Sequence, residues 1–326
     1  MKTLCKFLSV CAFTLSSLLF LGCGNTSLEE LVTEAGNVLE NHVQTKVSIA
    51  PPPATETDSI SIASFNIQVF GQSKINDAES IKVIVDICRR FDIMAIQEVR
   101  SSDQSLVPNF VQMLNAEGRQ YDYLVGPRQG RTTSKEQYVF VFDKQKIEVT
   151  NVGFVVPDEA DKLHRPPVAS RFTVRSSGPK PGFSFVLANV HTDPDETATE
   201  IAALAKAFQF IQANMPGEDD VIMLGDFNEG ESKYAELAQL PNMAWAISGT
   251  TTNTARTKAY DNLFFESDKT TEFLGTSGVF DFQKEYNLSD AQALKVSDHF
   301  PVWGMFSSQE AAPAVVAALP ETTTIR

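Results

Sequence analysis

Positive charge and cysteine are both scarce in this chain. Against 41 aspartates and glutamates it carries 27 lysines and arginines, a formal charge of −14. A surface of that sign argues against broad affinity for nucleic acid or anionic membranes, although a local basic rim or a bound cation can still meet a phosphate. Of the four cysteines, Cys5, Cys11 and Cys23 stand near the N-terminus, and only Cys88 lies in the body of the chain. A lone cysteine excludes an internal disulfide there, so the core must hold the domain together unaided. Cys88 sits on a helical pattern, which predicts a buried, inert thiol. Long hydrophobic runs are also missing: Phe7 to Leu21 is too short to cross a bilayer comfortably. No period suggests repeats. Hydrophobic residues nevertheless make up 43% of the chain, ample for a core.

The N-terminus reads as a targeting segment. Lys2 and Lys6 precede the apolar stretch, which ends in Phe20-Leu21-Gly22-Cys23, a sequence that resembles a bacterial lipobox. Residues 1–22 are expected to be a lipoprotein signal peptide and Cys23 the lipidated first residue, with an ordinary secretory signal as the alternative; both imply export. The protein would then be exported and tethered to a membrane of the bacterial cell envelope rather than spanning it. Residues 23–58 combine a weak amphipathic pattern (Leu28, Leu31, Val32, Ala35) with Pro51-Pro52-Pro53 and are expected to be a spacer. Residues 59–306 form one domain, and residues 307–326, rich in Ala, Pro, Glu and Thr, are expected to be a disordered tail.

Inside the domain, apolar runs stop abruptly at polar residues. The plainest case is Val221-Ile222-Met223-Leu224-Gly225-Asp226-Phe227-Asn228, a strand buried on both faces by its composition. Gly225 suggests close approach of another backbone. Asp226 and Asn228, two apart, point to the same side of an extended chain. Taken alone, this is as well read as a polar turn after a core strand. The pattern recurs, however. Asn66 breaks the run from Ser59 to Ile67, and Gln97 and Glu98 close Ile93 to Val99. Glu136 precedes Tyr138 to Phe142, and His191 closes the strand from Phe183. Asp261 interrupts Ala259 to Phe265, and Asp298 and His299 open the final strand to Phe306. Helical patterns fall near Ile81 to Phe91 and Leu106 to Leu114, and behind Asp193-Pro194. Dominant strands with few helices predict two packed sheets with helices outside.

Buried polar groups need partners, and a divalent ion with a phosphodiester would supply them. Hydrolysis of a phosphodiester requires an attacking hydroxide, charge stabilisation on the phosphoryl oxygens, and a proton for the leaving oxygen. Glu98, Asn66, Asp226, Asn228 and Asp298 offer the oxygen donors that Mg²⁺ prefers. His191 and His299 can move protons if each is oriented by a carboxylate.

These motifs carry a resemblance. Ser64-Phe65-Asn66-Ile67, Ile96-Gln97-Glu98-Val99-Arg100, Gly130-Arg131 with Lys135-Glu136, and His164-Arg165-Pro166-Pro167 stand in order. They are followed by His191, Gly225-Asp226-Phe227-Asn228, Ala259-Tyr260-Asp261 and Ser297-Asp298-His299. Residues 60–306 resemble the deoxyribonuclease I branch of the endonuclease/exonuclease/phosphatase superfamily. The resemblance implies a four-layer α/β sandwich with two mainly antiparallel β-sheets packed face to face and helices on the outside. It implies a metal held by Glu98 and Asn66 with Asp298. Asp226 and Asn228 would attend the water and the phosphate, and Glu136–His191 and Asp261–His299 would be catalytic dyads. Arg165 and Arg100 would be substrate contacts. The expected cofactor is Mg²⁺, with Mn²⁺ able to replace it and Ca²⁺ as a structural ion. The expected substrate is DNA, cleaved to leave 5′-phosphate ends by a monomer with no protein partner. Three departures stand out. Ser134 replaces the family's sugar-facing tyrosine, and Gln68 and Asn262 replace arginines. The family's disulfide positions fall near Glu231 and Lys258. Two other readings follow from the departures: a phosphodiesterase or phosphatase acting on a phospholipid or other small phosphodiester, and a non-catalytic surface binding protein.

Overall fold

The computed structural model describes residues 59–311, apart from residue 177, together with a two-residue strand, Gln44–Thr45. The expected signal peptide, Cys23, nearly all of the spacer and the tail beyond residue 311 lie outside the described residues. Among those described, no helix is long and apolar enough to cross a membrane.

Twelve longer strands follow in chain order: β1 (Ser59–Phe70), β2 (Ile93–Val99), β3 (Tyr121–Val125), β4 (Gln137–Asp143), β5 (Ile147–Val155), β6 (Val168–Val174), β7 (Ser184–His191), β8 (Val221–Asp226), β9 (Met243–Trp245), β10 (Asp261–Glu266), β11 (Phe273–Val279) and β12 (Val302–Ser307). The principal helices are α1 (Ala78–Cys88), α2 (Leu106–Leu114), α3 (Thr197–Asn214) and α4 (Asp290–Val296). One sheet runs β3-β4-β2-β1-β12-β11, with Gln44–Thr45 beyond β3; the other runs β9-β10-β8-β7-β6-β5. Each sheet contains a single parallel pair, β1 with β2 and β7 with β8, and every other pairing is antiparallel.

Three apolar layers separate four structural layers. Ile60, Ile93, Phe140, Phe172, Phe185, Leu187, Ile222 and Leu224 fill the space between the sheets. Phe65, Ile96, Ile84 and Phe110 join the first sheet to α1 and α2. Met223, Val190, Leu204 and Phe208 join the second sheet to α3. The expected four-layer sandwich is the observed one. Side-chain alternation explains how: in β8, Ile222 and Leu224 face the other sheet while Val221 and Met223 face α3. Cys88 is buried and free, and burial raises its thiol pKa far out of the reactive range.

Three boundaries differ from the sequence reading. Helix α3 begins at Thr197, not at Pro194, because the Glu200 carboxylate accepts the backbone N–H groups of Asp193 and His164 and holds that stretch as a turn. The final strand begins at Val302, which leaves Ser297 to Pro301 free to turn His299 inward. The chain stays in place beyond residue 306: Ser307 pairs with Ser59, Gln309 bridges Gly182, and the Glu310 carboxylate accepts the Ser184 N–H.

Candidate active site

The topology explains why polar residues recur where strands stop. In each parallel pair, both strands end at the same edge of the sandwich, and their antiparallel neighbours begin there. β1, β2, β7 and β8 therefore deliver Asn66, Glu98, His191 and Asp226 to the place where Glu136 leads into β4 and Asp261 opens β10. Alternation does the rest. Asn66 continues the face of Ile60 and Ile62, Glu136 that of Tyr138 and Phe140, and His191 that of Phe185 and Leu187. Asp226 continues the face of Ile222 and Leu224, and Asp261 that of Leu263 and Phe265. The inter-sheet layer is apolar through the middle of the molecule and polar at this edge. In the second sheet, His191, Asp226 and Asp261 are direct cross-strand partners in one row.

Asp226 is the hub. Its Oδ2 accepts a hydrogen bond from Asn66 Nδ2 at 3.0 Å, and its Oδ1 accepts the Asn228 N–H at 2.9 Å. The Nε2 atoms of His191 and His299 both lie 3.6 Å from Oδ2. Each histidine is fixed from behind: His191 Nδ1 is 2.8 Å from Glu136 Oε1, and His299 Nδ1 is 2.8 Å from Asp261 Oδ2. Burial alone would lower both imidazole pKa values. The facing carboxylates outweigh it, Glu136 for His191 and Asp261 with Asp226 for His299, and raise both, that of His299 strongly. Burial alone would likewise raise Glu136, but His191, Arg165 and Arg100 hold it down at about 2. The third histidine of the domain, His164, packs elsewhere, against Arg131 N–H and Asp193.

Gly225 is required by close packing. Its φ is +151°, and a Cβ there would lie 1.9 Å from the Val190 carbonyl oxygen of the parallel neighbour. Asn228 follows with φ +50°, a left-handed turn that asparagine tolerates, and its amide donates to the Thr192 carbonyl at 2.9 Å. Glu98, on the opposite parity from its neighbours in the site, reaches the same edge through a left-handed residue (φ +62°) at an irregularity of β2. Its Oε2 accepts the Val69 N–H at 2.7 Å and pairs with Arg100 at 3.1 Å.

The donor set suits a divalent cation. Among the described residues, Asn66 Oδ1 and Asp298 Oδ1 are buried atoms without a hydrogen-bond partner, as hard oxygen ligands awaiting an ion would be. The Lys74 ammonium donates to the carbonyls of Gln68 and Val296. Burial lowers its pKa to about 8 against the opposing pull of Asp298 and Glu98, so both carboxylates lie within its field. Ser297 ties the Asp298 loop to the Asn66 carbonyl. The tight groupings are different ones: Glu98 with Glu136 and His191, and Asp226 with Asp261 and His299.

The two arginines expected at the substrate are engaged with the protein. Arg165 is buried; its Nε lies 2.7 Å from Glu136 Oε1 and donates to the His191 carbonyl, while its Nη2 donates to the Thr192 carbonyl. Arg100 bridges Glu98 and the Ser134 hydroxyl and lies 3.5 Å from Glu136. Asn262 gives a plain correction. It faces away from the site, donating to Tyr234 Oη and the Ile247 carbonyl and accepting the Ile247 N–H. Its identity therefore removes no substrate contact.

Several supporting residues had no role in the sequence reading, although Gln97 and Ser297 stand inside its motifs. Thr252 Oγ1 donates to Asp261 Oδ2 at 2.6 Å. Ser297 Oγ donates to the Asn66 carbonyl at 2.7 Å and accepts the N–H groups of Gln68 and His299, joining the end of β1 to the His299 loop. Asn189 and Gln97, hydrogen-bonded at 2.7 Å, continue the polar layer inward. Asn189 could have been found, because it breaks the apolar alternation of Phe185 and Leu187 one step before His191. Thr252 and Ser297 lie in loops, where a hydroxyl is unremarkable.

Comparison with known proteins agrees with this geometry. The model of the Endonuclease/Exonuclease/phosphatase family matches residues 63–299. The chain belongs to that family. It is 33% identical over 263 residues to rat deoxyribonuclease gamma, spanning 75% of this chain and 83% of the relative. It is 32% identical over 262 residues to bovine deoxyribonuclease-1, spanning 75% and 91%. Among solved structures, an endonuclease/exonuclease/phosphatase from Bacteroides vulgatus superposes with a TM-score of 0.54 at 17% identity, covering 78% of this chain and 100% of that one. The human Nocturnin catalytic domain does so with a TM-score of 0.54 at 16% identity, covering 79% and 96%. At such identities these two share the fold.

Proposed function

We propose that the protein is an exported, lipid-anchored, divalent-metal-dependent endonuclease that hydrolyses DNA phosphodiesters without sequence preference, leaving 5′-phosphate ends. The observation that carries the reading is the convergence of two carboxylate-oriented imidazoles on Asp226. Each dyad presents Nε2 to the same space, so one imidazole can take a proton from water while the other gives one to the leaving oxygen. Glu136 and Asp261 fix the tautomers and keep both rings basic. Arg165 and Tyr138, whose hydroxyl accepts the His191 N–H at 2.8 Å, hold the first dyad rigid. Asn228 and Asn66 orient Asp226 and offer amides to the phosphoryl oxygens. Glu98, Asn66 and Asp298 would hold Mg²⁺ or Mn²⁺, which supplies charge stabilisation of the phosphoryl group. The deoxyribonuclease relatives support DNA as the substrate; lipidation at Cys23 would hold a monomeric enzyme at the envelope surface.

The test is supercoiled plasmid nicking by residues 59–311 with Mg²⁺, with EDTA, and with His191→Ala. Nicking that needs the metal and the histidine is the expected result. No nicking, alongside metal-dependent hydrolysis of bis-p-nitrophenyl phosphate, would replace DNA with a small phosphodiester. Inactivity on both substrates would leave a binding protein.

A further inference from the structure

A second group of buried carboxylates lies at the edge of the sandwich opposite the active site. Asp220 immediately precedes β8, the strand that ends in Asp226. Around it stand Glu218 and Asp219, Glu272 from the connection into β11, and Glu310 just beyond β12. One oxygen from each of Asp220, Glu272 and Glu310 lies within 4.8 Å of the others, and the same holds for Glu218, Asp219 and Asp220. Asp220 is 1% exposed and Glu272 3%.

The protein itself satisfies only part of this cluster. Glu218 pairs with Arg171 at 2.9 Å and accepts the Ser184 hydroxyl and the Asp220 N–H. Glu310 accepts the Ser184 N–H at 2.9 Å, and Glu272 Oε1 accepts the Ala311 N–H at 2.6 Å. Asp220 Oδ1 and Glu272 Oε2 are buried and have no hydrogen-bond partner among the described residues. Among the described residues no ion pair reaches Asp220, Glu272 or Glu310. Burying unpaired carboxylates side by side is costly, and an all-oxygen, irregular, strongly anionic set is what Ca²⁺ takes up.

We propose that Asp220, Glu272 and Glu310, with Glu218 beside them, form a structural Ca²⁺ site that ties the chain after β12 to the starts of β7 and β8. The site is independent of the catalytic reading, since it shares no residue with the active edge. Burial and then Glu272 raise the Asp220 carboxyl to about 9 without a cation, with Glu218 and Glu310 adding to the repulsion and the Thr270 hydroxyl opposing it. The competing account is therefore a cluster that shares protons.

Calorimetric Ca²⁺ titration and thermal melting of the EDTA-stripped full chain at pH 8 separate the two, with Glu98→Gln as the background that disables the active-edge metal. One Ca²⁺ should bind to Glu98→Gln and raise its Tm by roughly 5–10 °C at a hundredfold excess over Kd. Both effects should vanish in Glu98→Gln/Glu272→Gln. Should that chain fail to fold, Glu310→Gln, half-buried near the end of the domain, serves in its place. Retention of the site in these variants overturns the proposal. So does a parent indifferent to Ca²⁺ that melts below its Glu272→Gln variant, the signature of proton sharing.

Discussion

Strand β8 carries an aspartate at each end, and each is 1% exposed. Asp226 looks onto two imidazoles, two asparagines and one carboxylate, Asp261, which His299 engages; Asp220 looks onto four carboxylates, Glu218, Asp219, Glu272 and Glu310. Burial is the same, so burial does not decide what either end does. Partners that give and take protons make one end fit for acid–base work, and partners that repel make the other fit for a cation. A buried acid becomes informative only when its neighbours are named.

The sharpest way to break this comparison is to remove the charge at each end in turn. Asp226→Asn should lower metal-dependent nicking on the order of a thousandfold or more, because it deletes the anion that both imidazoles face. Asp220→Asn should leave nicking within about twofold when Ca²⁺ is present. Comparable losses from the two variants would mean that both ends serve the same reaction.

Next in size is a stability effect confined to the active edge. Glu136→Gln leaves Arg165 and Arg100 facing a neutral amide while His191 loses its anion. Breaking a buried charge pair by removing one partner costs about 3–5 kcal/mol, so chemical denaturation should show a loss of that size. Gly225→Ala should follow, at about 2–4 kcal/mol, since its methyl group would force β7 and β8 apart where Val190 O approaches most closely. A neutral Gly225→Ala would show that the parallel pair has slack and that the site tolerates looser spacing.

The two ends also differ in how far they were legible in the sequence. Asn66, Glu98, Glu136, His191, Asp226, Asp261 and His299 were visible because each interrupts or bounds an apolar run, and strand topology converts such interruptions into one edge. Their order along the chain matched a known family's, which supplied the roles. The resemblance placed Arg165 and Arg100 at the substrate, and the structure adds that their guanidiniums engage the protein's own carboxylates. The strands β5, β6, β9 and β11 left weaker marks: β5 and β11 are largely exposed on one face and β9 is three residues long, so little apolar periodicity survives. The far cluster was invisible. Glu218, Asp220, Glu272 and Glu310 are scattered acids in an acidic chain, and only the meeting of β8, the approach to β11 and the chain after β12 brings them together.

The smallest expected effect reads both ends in one experiment, the dependence of stability on pH in the presence of chelator. Glu136 has a folded pKa of about 2 against an ordinary value of 4.5. The unfolded chain therefore binds more protons between those values, and stability present above 4.5 is lost as pH falls toward 2. Asp220 has the opposite sign: its folded value of about 9 against 3.8 makes the native state the better proton binder. Stability is then full below about 4 and drains away as pH rises toward 9, by at most about 1.4 kcal/mol per pH unit for one proton. His191 and His299, both raised, tilt the curve the same way above 6.5, so the parent's slope alone cannot be assigned to Asp220. The difference between the parent and Asp220→Asn isolates it. That difference should change with pH across 5 to 8 in EDTA and flatten when Ca²⁺ is added, because the ion replaces the proton. A difference that ignores pH in EDTA would mean that Asp220 is already ionised without a cation and that its partners are not the ones named here.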